Sequence, residues 1–206
     1  MTRTHRPAAE RREEILDTAH ILFTTKGFQS TTMEDILESV GIAKGTLYYH
    51  FPSKEQILKA LVLRIVGQVE QRARKIAASP APAIEKLIAL MAAMQVEGAE
   101  IELVEQFHAP GNAEFHLLSI TEMIKHLTPI ITDVIIQGVD EGAFSTDRPY
   151  DAVELLLSAS GILLDHEIME PSQADLARRT QSLAWASELL LGARPGSLSP
   201  MVEADL

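Results

Sequence analysis

Apolar residues recur along this chain at the spacing of an α-helix almost from end to end, and nowhere with the alternation of a strand. From Ala8 to Lys26, the residues Ile15, Leu16, Ala19, Leu22 and Phe23 form one stripe, with Gly27 placed as a left-handed cap. Thr32 with Asp35, or Thr31 with Glu34, resembles a capping box that opens a short helix closed by Gly41. A second short helix spans Lys44 to His50, and Ser53 with Gln56 caps a long one faced by Ile57, Leu58, Leu61, Ile65 and Val69. Ser79-Pro80-Ala81-Pro82 breaks that pattern and marks a candidate hinge. Further helices are expected through Ile84–Met91, through Ala99–His108 and through Leu117–Ile135, the last kinked at Pro129. Two more follow at Tyr150–Met169 and Gln173–Leu191, then a tail without periodicity. The reading is all-α, about nine helices, with three packed N-terminal helices ahead of a larger helical domain.

Charge divides along the same line. Residues 1–75 hold 12 Lys and Arg against 9 Asp and Glu, a net of +3, whereas residues 76–206 hold 6 against 20, a net of −14. The overall −11 excludes a general nucleic-acid coat, but the first part is able to approach a polyanion. The absence of cysteine removes disulfides, thiolate metal sites and a cysteine nucleophile. No apolar run approaches the ~20 residues of a membrane span, and no apolar region follows the basic start, so a cytoplasmic protein is expected.

The residues with chemical promise lie near the front. Two short helices joined by Gly41-Ile42-Ala43 and packed on a preceding amphipathic helix form a helix-turn-helix pattern. Ile36, Leu37, Val40, Ile42, Leu47 and Phe51 are its expected core. Lys44, Gly45, Thr46, Tyr48, Tyr49 and His50 are then left around the outer face: a cation, a glycine, a hydroxyl, two phenols and an imidazole. That set suits phosphates and base edges. The competing reading buries Tyr48 and Tyr49 as half-core aromatics.

The stretches Thr32-Met33-Glu34-Asp35-Ile36, Val40 through Phe51 with its K-G-T-L-Y-Y-H-F signature, and Ser53-Lys54-Glu55 resemble the DNA-binding domain of tetracycline-repressor (TetR) family regulators. The resemblance covers about residues 10–60. It implies a DNA-binding domain over residues 1–55 and a ligand-binding and dimerisation domain over residues 56–206. The helix through Lys44–His50 is then the recognition helix, with Lys44, Gly45, Thr46 and Tyr48 nearest the bases and Thr32, Tyr49, His50 and Lys54 on phosphates. The partners implied are double-stranded operator DNA, a small-molecule effector and a second copy of the chain. The function implied is a repressor of a near-palindromic operator that the effector releases. A DNA-binding dimer without effector and a metal-responsive regulator are the alternatives.

The resemblance further implies that the last two helices pair with their copies. Leu155, Leu156, Ala159, Ile162 and Leu163 crowd one side of the first, and Leu183, Leu189 and Leu190 one side of the second, with Trp185 as an anchor. Met91, Met94, Gln95, Phe107, Phe115, Met123 and Leu127 are candidates for an apolar effector site, with Glu105 and Ile130 nearby. Glu105, His108 and His116 bracket the Pro110-Gly111 turn, yet no spacing of high specificity for a metal occurs and no metal site is assigned. No cofactor fingerprint is present. Phosphate-binding and nucleophile-elbow motifs are likewise absent, and Glu105-Gln106-Phe107-His108 is a lone E-x-x-H where a helical-bundle metal enzyme needs two, so an enzyme is not expected.

Overall fold

The computed structural model describes residues 7–94, 100–108 and 112–198, without the side chains of Glu100, Phe107, His108 and Glu167. Among these residues there are ten helices and no strand: α1 (Ala8–Lys26), α2 (Met33–Val40), α3 (Lys44–His50), α4 (Lys54–Ala77) and α5 (Ala83–Ala93), then α6 (Glu100–His108), α7 (Ala113–Asp140), α8 (Pro149–Leu163), α9 (His166–Met169) and α10 (Gln173–Leu191). The helix expected over Tyr150–Met169 is two, because the chain leaves helical geometry at Leu164 and Asp165. Asp165 then accepts the amide of Ile168 at 2.8 Å, which restarts a single turn.

The local signals behave as sterics and hydrogen bonding require. Thr32 opens α2 with a reciprocal capping box to Asp35, while Thr31 is fully buried and donates its hydroxyl to the carbonyls of Gly27 and Leu22. Ser172 caps α10 by accepting the Asp175 amide at 3.1 Å. Gly27 takes φ 86°, ψ 147°, a positive φ but not the left-handed helical cap expected there. Pro129 lies inside an unbroken α7, where Thr128 and Thr132 donate their hydroxyls to the carbonyls of Ile124 and Thr128. The tail is not frayed as far as Leu198. Its amide donates to Glu188, and its side chain is fully buried.

Packing groups the residues into two units. The first holds residues up to Ile65 together with 97–119, and the second holds Val66–Val96 and Ile120 onward. The expected division between residues 55 and 56 therefore differs from the division by packing, which gives α6 and the start of α7 to the first unit. Ser79–Pro82 forms a turn inside the second unit rather than a hinge between the two. In the first unit Ile15, Leu16, Phe23, Ile36, Leu47 and Ile57 are essentially solvent-free. In the second, Leu87, Leu90, Leu127, Ile131, Ile135 and Val153 form the centre of the core. No helix among the described residues is long and apolar enough to cross a membrane.

Candidate nucleic-acid interface

The α2–α3 turn sets the angle at which α3 is offered to solvent. Gly41 has φ 69°, ψ 37°, the left-handed region where a Cβ costs about 1–2 kcal/mol, and its amide donates to the Leu37 carbonyl at 3.0 Å. Leu47 and Phe51, one turn apart, are buried and fix the inner face of α3, with Leu37, Val40 and Ile42 half-buried beside them. Burial of Leu47 and Phe51 directs Lys44, Gly45, Tyr48 and Tyr49 outward, with Thr46 and His50 at the margin. Tyr49 is 81% exposed and Tyr48 39%, so neither is a core aromatic.

Gly45 is informative because nothing among the described residues requires it. A Cβ there would meet no atom within 4 Å, and its backbone is ordinary helix. A glycine in a helix costs about 1 kcal/mol against alanine. What its lack of a side chain provides is a flat surface for close approach from outside.

The cations around this face divide into a weakly paired one and a committed one. Lys44 stands 5.7 Å from the Tyr48 ring centre and 3.4 Å from Glu34, with both charged groups about two-thirds exposed. Such a pair is worth about 0–1 kcal/mol, so a phosphate can displace Glu34. Lys54 differs from its expected role. Its ammonium donates to the carbonyls of Phe28 at 2.9 Å, Gln29 at 3.1 Å and Thr31 at 3.0 Å, and lies 4.6 Å from the Phe28 ring centre. Three N–H groups with three acceptors leave none for a phosphate. Thr32 is similarly engaged: its hydroxyl donates to Asp35 at 2.9 Å and accepts the Asp35 amide at 3.1 Å. Lys26, 2.6 Å from the Asp35 carboxylate, and the Thr32 hydrogen bonds hold that carboxyl at about 2, below its ordinary 3.8. Neither the Lys54 clamp nor the Lys26 contact is visible in local sequence, because each bridges segments brought together only by folding.

The second unit contains an apolar cavity of about 110 Å³ between α5, α7, α8 and α10, bordered by Leu87, Met91, Ile131, Leu157 and Leu183. Ser160, Thr180 and Ser187 are its hydroxyls, and none of its lining residues is charged. Of the residues expected at an effector site, Met91 borders this cavity. Leu127 is in the core of the second unit, and Met94 and Met123 pack against that core. Phe115 belongs to the first unit, in edge contact with Phe28 at 5.8 Å, which in turn meets Phe23 at 5.1 Å. Gln95 and the Phe107 side chain lie outside the described residues. Leu156 and Leu183, expected at a dimer interface, line the cavity, whereas Leu155, Leu189 and Leu190 are exposed together with Trp185. Ala159, Ile162 and Leu163 are half-buried.

Among the described residues no three His or carboxylate groups are placed to hold a metal. Glu105 is exposed and His116 buried, and the His108 side chain is outside the described set. His126 instead lies between two carboxylates, with Nδ1 hydrogen-bonded to Glu70 at 2.7 Å and Nε2 3.7 Å from Glu122. Hydrogen bonds from Arg74, then from His126, lower the Glu70 carboxyl against an opposing effect of burial.

Comparison with known proteins adds the lineage. A sequence model of bacterial regulatory proteins of the tetR family matches residues 15–61, and one of the tetracyclin repressor-like C-terminal domain matches residues 95–184. The HTH-type transcriptional repressor KstR2 of Mycobacterium tuberculosis is 30% identical over 147 residues, spanning 69% of this chain and 74% of the relative. A TetR/AcrR-family regulator from Thermobifida fusca superposes with a TM-score of 0.57 at 24% identity, over 88% of this chain and 97% of its own. SmeT of Stenotrophomonas maltophilia in complex with triclosan gives 0.58 at 19% identity, over 91% and 94%. At such identities the structures speak for the fold, and the sequence matches for the lineage. With a helix-turn-helix whose outer face is open to a polyanion, and a repressor relative aligned over most of its length, the chain belongs to the TetR family of DNA-binding transcriptional regulators.

Proposed function

We propose that the protein is a repressor that binds a near-palindromic operator as a homodimer and is released by a small, neutral, mostly apolar effector. The observation that carries the DNA side is the outer face of α3, where Lys44, exposed Tyr48 and Tyr49 and the unfilled space over Gly45 flank the buried pair Leu47 and Phe51. In this reading residues 1–55 meet DNA and residues 56–206 bind ligand and dimerise. Lys44, Gly45, Thr46 and Tyr48 face base edges, and Tyr49 and His50 face phosphates. Thr32 and Lys54 position the domain by holding its backbone.

Dimerisation is supported by the exposed apolar side chains Leu155, Trp185, Leu189 and Leu190 on the packed helices α8 and α10. A monomer seldom leaves such groups uncovered on adjoining helices, and two-fold dimers suit paired half-sites ~34–36 Å apart. The effector reading is supported by the cavity of the second unit. Its volume is of the order of one that accepts a single aromatic ring. Ser160 and Ser187 donate their hydroxyls to the carbonyls of Leu157 and Leu183, so toward the cavity they offer lone pairs. A ligand carrying one hydroxyl or amide donor on an apolar body fits these walls, and a carboxylate or phosphate does not.

The deciding experiment is selection of bound sequences from random duplex DNA. Recovery of a motif with two-fold symmetry is expected, and enrichment of an asymmetric single site would overturn the dimer reading. Calorimetry of a ligand found by thermal shift, with and without that operator, then tests release. Coupling of ~1–3 kcal/mol weakens ligand binding about 5- to 150-fold when DNA is present, and equal affinities exclude release.

A further inference from the structure

The first unit contains a chain of polar contacts that the reading of the DNA-binding face does not use. It starts at Asn112, at the N-terminus of α7, which is 1% exposed. Its side-chain amide donates to the Gln106 carbonyl at 2.6 Å and accepts from Gln29 Nε2 at 3.2 Å. Gln106 in α6 accepts the Phe28 amide at 3.3 Å. Phe28 and Gln29 lie in the α1–α2 loop, whose carbonyls are gathered from the other side by Lys54 of α4. The loop ends at Thr32, whose capping box opens α2, and α2 leads through Gly41 into α3.

We propose that Asn112 and Gln106 are positioning residues for DNA binding: from the α6–α7 side they hold the α1–α2 loop, and with it the start of α2 and the presentation of the recognition helix. Both residues fall in the stretch matched by the C-terminal domain of the family and yet pack within the first unit. A buried amide is costly to leave unsatisfied, so a shift of the start of α7 away from Gln29 is penalised, and the Asn112–Gln106 hydrogen bond ties that contact to the one Gln106 makes with Phe28. In this scheme the α1–α2 loop is where α6 and the start of α7 act on the helix-turn-helix. Neither Asn112 nor Gln106 touches DNA in this scheme. Loss of the contacts changes how often the head is correctly arranged, without removing any cation from the interface.

The full-length protein and its selected operator provide the test, and wild-type binding to that operator checks DNA binding on its own. Gln29→Ala and Asn112→Ala are each expected to weaken operator binding about 3- to 10-fold, the effect of one or two lost hydrogen bonds. The slope of log K against log salt should stay at the wild-type value, because no phosphate contact is lost. Amide exchange over residues 27–32 should quicken in both variants, and the double variant should bind no worse than Asn112→Ala alone. If Asn112→Ala fails to fold, Gln29→Ala still decides, since Gln29 is exposed. Affinity within twofold of wild type despite faster exchange, a salt slope lowered by about one, or losses that multiply in the double variant would each overturn the proposal.

Discussion

Gly45 separates stability from function at a single position. The empty space over it lets alanine enter without a clash, and helix propensity favours alanine by about 0.5–1 kcal/mol. Gly45→Ala should therefore raise the urea midpoint of the protein and weaken operator binding at the same time. A variant that is stabilised but binds DNA unchanged would remove Gly45 from the interface. The two lysines make an equally sharp contrast. Lys44 is exposed with a weak partner, so Lys44→Ala should reduce the salt slope of operator binding by about one. Lys54 is consumed by three carbonyls, so Lys54→Ala should leave the slope alone and destabilise the fold by about 1–3 kcal/mol in urea unfolding. Asp35 carries a pH signature. Its carboxyl is held at about 2 in the fold against an ordinary 3.8, chiefly by Lys26. A depressed acid stabilises the fold above its unfolded value, and that contribution is lost as pH falls from about 4 toward 2. Asp35→Asn should flatten this acid limb in melting temperature measured across the same interval.

Elements differ from isolated helices in what surrounds them, and two glycines illustrate this. Gly67 in α4 and Gly138 in α7 both sit inside helices, where propensity alone favours alanine by about 1 kcal/mol. A Cβ on Gly67 would meet nothing within 4 Å, so Gly67→Ala should stabilise by about 0.5–1 kcal/mol. A Cβ on Gly138 would stand 2.2 Å from the ring of buried Phe144 and 3.1 Å from Ala83. Overpacking of about 1–3 kcal/mol outweighs the propensity gain, and Gly138→Ala should lower stability in the same assay. The same distinction governs helix ends. Thr32 with Asp35 and Ser172 with Asp175 act over three residues and are readable in sequence. The break between α8 and α9 is not, because Leu164 continues the apolar pattern while the backbone departs from it.

For the whole molecule, assembly is the property with the largest consequence. Leu189 is 66% exposed and Leu163 half-buried on the neighbouring helix. Leu189→Glu costs a monomer little, but places a charge in the proposed two-fold interface. Sedimentation should show a weakened dimer, and operator binding should fall in parallel. A monomer that still holds its operator tightly would contradict the homodimer.

The amino-acid sequence by itself was enough for the helical class, the helix-turn-helix and its inner face, and the division of charge between +3 and −14. These depend on periodicity, caps and counts, each set by residues within a turn or two of one another. Tertiary structure alone decided which polar groups remain free. Lys54 reads locally as a phosphate ligand at a helix start, and becomes a clamp because the loop after α1 folds over it. Phe115 reads as pocket lining, and becomes core because Phe28, in the loop after α1, meets it edge-on. Likewise the cavity beside Met91 draws its walls from four helices far apart in sequence. Apolar periodicity is the same for a residue that fills a core and one that borders a void. The difference lies in what folding brings opposite it.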